Sequence, residues 1–369
     1  MKSTSMRGVV CVAVALVCLH GCGLQADAPP TGPKEASERM ESTDPSNQAM
    51  IDAWQANGRE LPHVARYRGN RRGAFSFTCD DGFRGQVANT LDILDPLGLK
   101  ATFFIIPFHM ENPEMADNMV TWDQVRDLHD AGHEIGTHGA IREKLHEATD
   151  ERLDELVNGS RRLIVERAGI EPVSYAAPGG SRVDDRVAAV IGQHHPFIRK
   201  SAYLPDVTIV GYGNTDRRHW DDQATRRKLE AIRDDGGWAI AVVHAIVHGY
   251  APFASKDEFR IHCQWLAAQE DIWVAPMGTI GRYRGAQQRA ELTFVDLADG
   301  RVAFRLTTAA EPAEVYHVPL TVVIGAAGAR DARAVTADGT ALPTIVRDDA
   351  ILVDVLPDGA GVTVTWRTD

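Results

Sequence analysis

The chain predicts an α/β fold built on parallel strands, followed by a small all-β domain. Three observations carry that expectation. Apolar runs with a β-branched and aromatic bias end abruptly in polar residues, as at GAFSFTCDDGF (73–83). A strand buried on both faces delivers side chains to the mouth of an α/β fold in this way. Strand and helix patterns alternate about seven times between residues 73 and 280, which favours a barrel or a doubly wound sheet. From residue 290 onward, short β-rich runs are separated by Asp-Gly turns at Asp299, Asp338 and Asp358, the spacing of an antiparallel sandwich.

At 369 residues with 44% hydrophobic content, the chain is long for one domain and comfortable for two. Its formal net charge of −12 and its lack of Lys/Arg-rich blocks with interleaved aromatics argue against a nucleic-acid partner. Residues 1–22 read as an export signal: Lys2 and Arg7 precede an apolar run over 9–19 that is too short to span a bilayer. The run ends in Leu19, His20, Gly21 and Cys22, which resembles a bacterial lipobox with Cys22 as the acylated residue. Cleavage without lipidation is the alternative, since His20 is an unusual occupant. The expected location is therefore outside the cytoplasm, lipid-anchored to a membrane, periplasmic or extracellular. Residues 23–62, rich in Pro, Ser, Glu, Asp and Ala, read as a flexible linker. Of five cysteines only Cys79 and Cys263 fall in the body of the chain, either as a pair or as two separately buried thiols.

The body divides into residues 63–288 and 289–369. After the strand at 73–81, residues 86–97 have helical apolar spacing and stop at Gly98. KATFFII (100–106) is a second apolar strand. A helix over 122–130 capped by Thr121 leads to a strand ending at His138. A long amphipathic helix over 150–168 stops at Gly169. There follow a strand near 173–177, a helix from Asp184, strands near 197 and 207–210, a helix over 221–234, and the apolar strand 238–243. The last unit is a helix over 256–268, a strand over 271–275 and a turn into Ile280.

Three strand ends carry candidate chemistry: Asp80 and Asp81 on the first, His138 on the third and His244 on the seventh. Neighbouring strand residues point to opposite faces, so the two carboxylates share a site only if the chain turns there, which Gly82 permits. Two carboxylates in a dry site require a cation or a shared proton. The competing explanation is an acidic pair satisfying the first-turn amides of the helix that follows. Each histidine alone is more often a satisfied core residue, as His109, His129 and His133 are expected to be. The repetition at strand ends is what singles out His138 and His244.

FTCDDGF, KATFFIIP, GHEIGTHG, YAAPGG, and VVH followed by DIWVAPMGTIGRY resemble, in order and spacing, the NodB-like polysaccharide deacetylases of carbohydrate esterase family 4. The resemblance covers residues 72–283. It implies a distorted (β/α)7 barrel and metal-dependent removal of acetyl groups from an N- or O-acetylated carbohydrate. By position it makes Asp80 the general base, His244 the general acid, Asp81 and His138 ligands of a divalent metal, zinc being the expected ion, and Gly179 the donor of an oxyanion-binding backbone amide. The chain departs from the family at a faint motif around Asp216 to Asp222 with Trp220, and at two further positions. Arg142 stands where the second histidine ligand belongs, leaving His146 or Glu143 as substitutes, and Ala176 replaces an arginine that pairs with the catalytic carboxylate. Arg142 offers that charge from a new direction and competes with a cation. A deacetylase, a non-catalytic carbohydrate-binding relative whose metal site is lost through Arg142, and an esterase or amidase for another acyl group are the three readings.

Overall fold

The computed structural model describes residues 45–200, 204, 206–211, 222–244, 253 and 255–368. The expected export signal, Cys22 and the first part of the expected linker lie outside the described residues.

Eight parallel strands form the central sheet: β1 (Gly73–Asp81), β2 (Thr102–Ile105), β3 (Glu134–Thr137), β4 (Ser174–Tyr175), β5 (Phe197–Ile198), β6 (Val207–Gly211), β7 (Trp238–Val243) and β8 (Ile272–Val274). Seven run in the order β5-β4-β3-β2-β1-β7-β6, and β8 pairs with the start of β1. No pairing joins β5 to β6 among the described residues, and the parallel sheet with its crossover helices is in keeping with the distorted (β/α)7 barrel expected. All nine residues of β1 are buried, which explains why its sequence is apolar on both faces up to the carboxylates.

Register aligns the strand ends. Asp81 pairs with Ile105, Ile105 with Thr137, Thr137 with Tyr175, and Tyr175 with Ile198. Cys79 pairs with Val243 on the other side. One step further along, the same ladders bring Asp80 level with His244, and His138, Ala176 and Arg199 level with one another. Polar residues far apart in sequence meet because the apolar runs before them fix how far each strand advances.

The connecting helices follow the expected stops and starts. Trp122–Asp130 opens with a full capping box between Thr121 and Gln124, and Asp184 caps Asp185–Gly192. The expected helix over 150–168 is present with one turn of π-helix, Glu155–Gly159, inside it.

Four features differ from expectation. Pro45–Ala56 is a helix within the stretch read as linker; Ile51 and Trp54 are buried, and Arg59 lies 4.9 Å over the Trp54 ring. Tertiary packing rather than local propensity makes this helix. Met277–Gln287 is a helix where a turn was expected, with Met277, Ile280 and Tyr283 buried. His63–Val64, ahead of the barrel, pairs with Leu320–Gly325 of the sandwich. Arg330–Thr336 is a strand that its mostly polar sequence concealed. The sandwich consists of two antiparallel sheets, the larger including Ala290–Ala298, Arg301–Thr308 and Asp358–Arg367. It does not have a core of its own. Trp54, Phe104, Trp238 and Trp273 belong to one hydrophobic cluster with Phe304, Val322, Ile351 and Trp366, and Asn47–Asp369 forms a single unit.

Candidate active site

Asp81 ends β1 in a left-handed conformation (φ 74°), and Gly82 follows at φ 75°. Asn and Asp tolerate that region better than other side chains, and two such residues in succession swing the chain away from the strand direction. The turn lets both carboxylates enter one site although their Cβ atoms alternate along the strand. A Cβ on Gly82 would lie 3.1 Å from Ile105 Cγ2, a tight contact that Ile105 would have to relieve, in addition to the strain of the left-handed backbone. Asp80 and Asp81 are 2% and 1% exposed.

His138 completes the cluster. Its Nε2 lies 3.7 Å from Asp80 Oδ2 and 3.7 Å from Asp81 Oδ1. Its Nδ1 donates to the Ala176 carbonyl at 2.8 Å, which fixes the tautomer and leaves Nε2 facing the carboxylates. Burial lowers the His138 pKa against the opposing pull of Asp80. The sequence expectation that Asp81 and His138 meet is therefore met.

Gln86 ties the ends of β1 and β7 together. This fully buried side chain donates from Nε2 to the Asp80 carbonyl at 2.6 Å and also to the His244 carbonyl. His244 is half-buried just past β7 and contributes to lowering the Asp80 pKa. Gly179 lies in the turn after β4 at φ 40°, with open space where a Cβ would project.

Two arginines, one per carboxylate, set the electrostatics. Arg199, directly after β5, forms a bidentate pair with Asp80, Nη1 to Oδ1 at 2.5 Å and Nη2 to Oδ2 at 2.6 Å. Its Nη1 also donates to Thr78 Oγ1 at 2.8 Å, and the guanidinium lies 4.8 Å over the Phe104 ring. Burial by itself would push the Asp80 carboxyl up. Arg199, His138 and His244 outweigh it and hold the group below the usual carboxylate range. Arg142 donates from Nε to Asp81 Oδ1 at 3.2 Å and from Nη2 to Oδ2. Its side chain is 44% exposed, in contrast to the buried carboxylate that it pairs with.

This corrects one expectation. The charge lost at Ala176 is supplied by Arg199, its register neighbour one strand over, and not by Arg142. Arg199 was missed because a two-residue apolar strand, Phe197–Ile198, gave little signal. The rule that chemistry collects at strand ends would have found it if applied to that strand. Gln86 was read only as part of a helical pattern. His109 was set aside as a core residue; it is half-buried in the helix after β2, and its pKa is lowered by burial and by Arg142, with Asp81 opposing, so it borders the site.

The donor set does not fit a resident metal. Two donors about 2 Å from one cation stand a little over 3 Å apart, so the Asp81–His138 separation nearly suits a shared ion. Among the described residues a third donor is missing. Among the described residues no group of three or more His, Cys, Asp or Glu is arranged to hold a metal. Both substitutes are committed elsewhere: His146 Nδ1 accepts the Arg182 amide at 3.0 Å, and Glu143 pairs with Arg152 at 2.8 Å.

The polysaccharide deacetylase family model matches residues 68–195. A gellan lyase of Bacillus sp is 24% identical over 353 residues, covering 86% of this chain and 14% of its own length, so the chain spans a small part of that relative. A family 4 carbohydrate esterase from Streptomyces lividans, solved with acetate, aligns at 18% identity and a TM-score of 0.42 over 57% of this chain and 95% of its own. The peptidoglycan deacetylase PdaC from Bacillus subtilis aligns at 15% identity and 0.41 over 57% of this chain and 90% of its own. The stretch matched by the polysaccharide deacetylase family model, residues 68–195, is the one that carries Asp80, Asp81 and His138.

Proposed function

We propose that the groove at the strand ends of β1, β3 and β7 removes acetyl groups from an acetylated carbohydrate. The observation that carries this reading is the Gln86 clamp, which fixes the backbones of the proposed base and the proposed acid on adjacent strands. Asp80 is ionised at neutral pH and accepts a proton from the attacking water. Its low basicity means that the proton moves late, once the water oxygen has begun to bond to the acetyl carbon. Arg199 keeps the charge and orientation of the base through this step. His244 protonates the departing sugar nitrogen or oxygen, and the amide of Gly179 receives the developing oxyanion. Relatives in this family generally use a divalent metal, zinc being the ion first expected here; no step above is routed through one, because the donor set does not fit it.

Acetate release from a panel of N- and O-acetylated oligosaccharides tests the reading. The native chain should turn over at least one, and Asp80→Asn should abolish it. No release by the native chain on any of them would favour the second reading, a carbohydrate-binding groove, which the Arg142–Asp81 pair supports by closing the seat of the cation. Export and lipid attachment through Cys22 belong to the same proposal; membrane fractionation of the native chain against Cys22→Ala tests them.

A further inference from the structure

We infer that Arg142 is a tethered replacement for a divalent cation, and that this site receives a ligand's carbonyl oxygen on a guanidinium. The inference rests on the groove being the functional site, but not on its turning over substrate.

Asp81 is nearly fully buried, and a buried carboxylate without a partner is strongly disfavoured. Some positive group must face it. In this chain that group is fixed covalently, four residues after His138, and it engages both carboxylate oxygens: Nε on Oδ1 at 3.2 Å and Nη2 on Oδ2. Planar two-point pairing of this kind occupies a lone pair on each oxygen and supplies the positive charge that an ion would otherwise bring. Charge gives the same result. Asp80 is balanced by Arg199 and Asp81 by Arg142. A divalent ion would enter a cluster already neutral and would first have to displace a guanidinium. The alternative donors named for a ligand set, His146 and Glu143, are held by Arg182 and Arg152.

The remaining geometry gives Arg142 something to do. Nε and Nη2 are taken up by Asp81, which leaves Nη1 as the donor that the carboxylate does not engage, on a side chain that is 44% exposed and close enough to His109 to lower its pKa. A fixed N–H donor with a full positive charge, in a site walled by buried groups, can polarise an acyl carbonyl without reorganising.

Cobalt(II) titration followed by visible absorption tests the assignment, with zinc affinity measured alongside. The native chain should develop no tetrahedral cobalt band and bind zinc weakly. Arg142→His should gain the band at one equivalent. Even a hydrogen-bond partner behind a metal ligand is worth about 10–100-fold in affinity, so restoring a ligand itself should tighten zinc more than about 100-fold. A stoichiometric tetrahedral cobalt complex of the native chain would overturn the inference, as would a folded Arg142→His variant that gains no affinity. The native titration decides the matter even if that variant does not fold. Neither readout requires catalysis, so a failed acetate assay refutes hydrolysis alone and leaves this assignment standing. Where the native chain does release acetate, a chelator should leave the rate unchanged; loss of activity with chelator would again overturn it.

Discussion

Arg199→Ala removes the partner of a buried carboxylate and so isolates what that charge contributes. The side chains of Arg199 and Asp80 are 8% and 3% exposed, so solvent screens the pair little. Both oxygens of Asp80 accept from the fork, at 2.5 and 2.6 Å, and the same guanidinium holds Thr78. Deleting one member of a buried pair leaves the other uncompensated, a cost of about 3–5 kcal/mol. The Asp80 carboxyl, now shifted by burial with less opposition, should rise and lose part of its negative charge at neutral pH. Urea unfolding at pH 7 should show the loss. Arg199→Lys should be intermediate, since an ammonium keeps the charge but cannot pair at two points. In an Asp80→Asn background the same Arg199→Ala change should cost much less, because no buried charge is left behind. Adding Ala176→Arg to Arg199→Ala should recover stability, since Ala176 and Arg199 stand level on adjacent strands. The reasoning fails if Arg199→Ala unfolds within about 1 kcal/mol of the native chain, the ordinary range of an exposed pair, or if Asp80→Asn leaves its cost unchanged.

Two further predictions use other parts of the fold. Gln86→Leu keeps the volume but strips the donor from the Asp80 and His244 carbonyls, at about 1–3 kcal/mol for each left unpaired; if the clamp positions base and acid, acetate release should fall while KM changes little, and an unchanged kcat would refute that role. His195 is fully buried, donates from Nδ1 to the Pro172 carbonyl at 3.1 Å, and has no partner for Nε2 among the described residues. Burial pushes its pKa down to about 3. Because the folded value lies below the unfolded one, the stability is complete above about pH 6.5 and is lost as pH falls, at about 1.4 kcal/mol per unit. Urea midpoints measured from pH 6.5 to 5 should therefore decline in the native chain and decline less in His195→Gln; equal slopes would refute the assignment.

The parts of the site visible in the sequence are those that depend on local rules. Asp80, Asp81, His138 and His244 each follow an apolar run long enough to be a buried strand, and parallel register does the rest. What was hidden depends on neighbours distant in sequence. The helix Pro45–Ala56 exists because Trp54 has a core to enter, and Arg330–Thr336 is a strand because Asp358–Arg367 lies beside it. Arg142 was conspicuous as a misfit, yet nothing local could tell which carboxylate it would take; the answer is Asp81, since Asp80 is already paired. Arg199 makes the physical point most sharply. The sheet places residues 176 and 199 level on adjacent strands, and a long, flexible guanidinium can reach Asp80 from the outer of the two by lying across the Phe104 ring. The buried carboxylate therefore constrains where positive charge must lie in space, not which strand supplies it. A site of this kind can lose an arginine at one position and a histidine at another while both of its carboxylates stay neutralised, provided that each replacement is fixed by the same sheet.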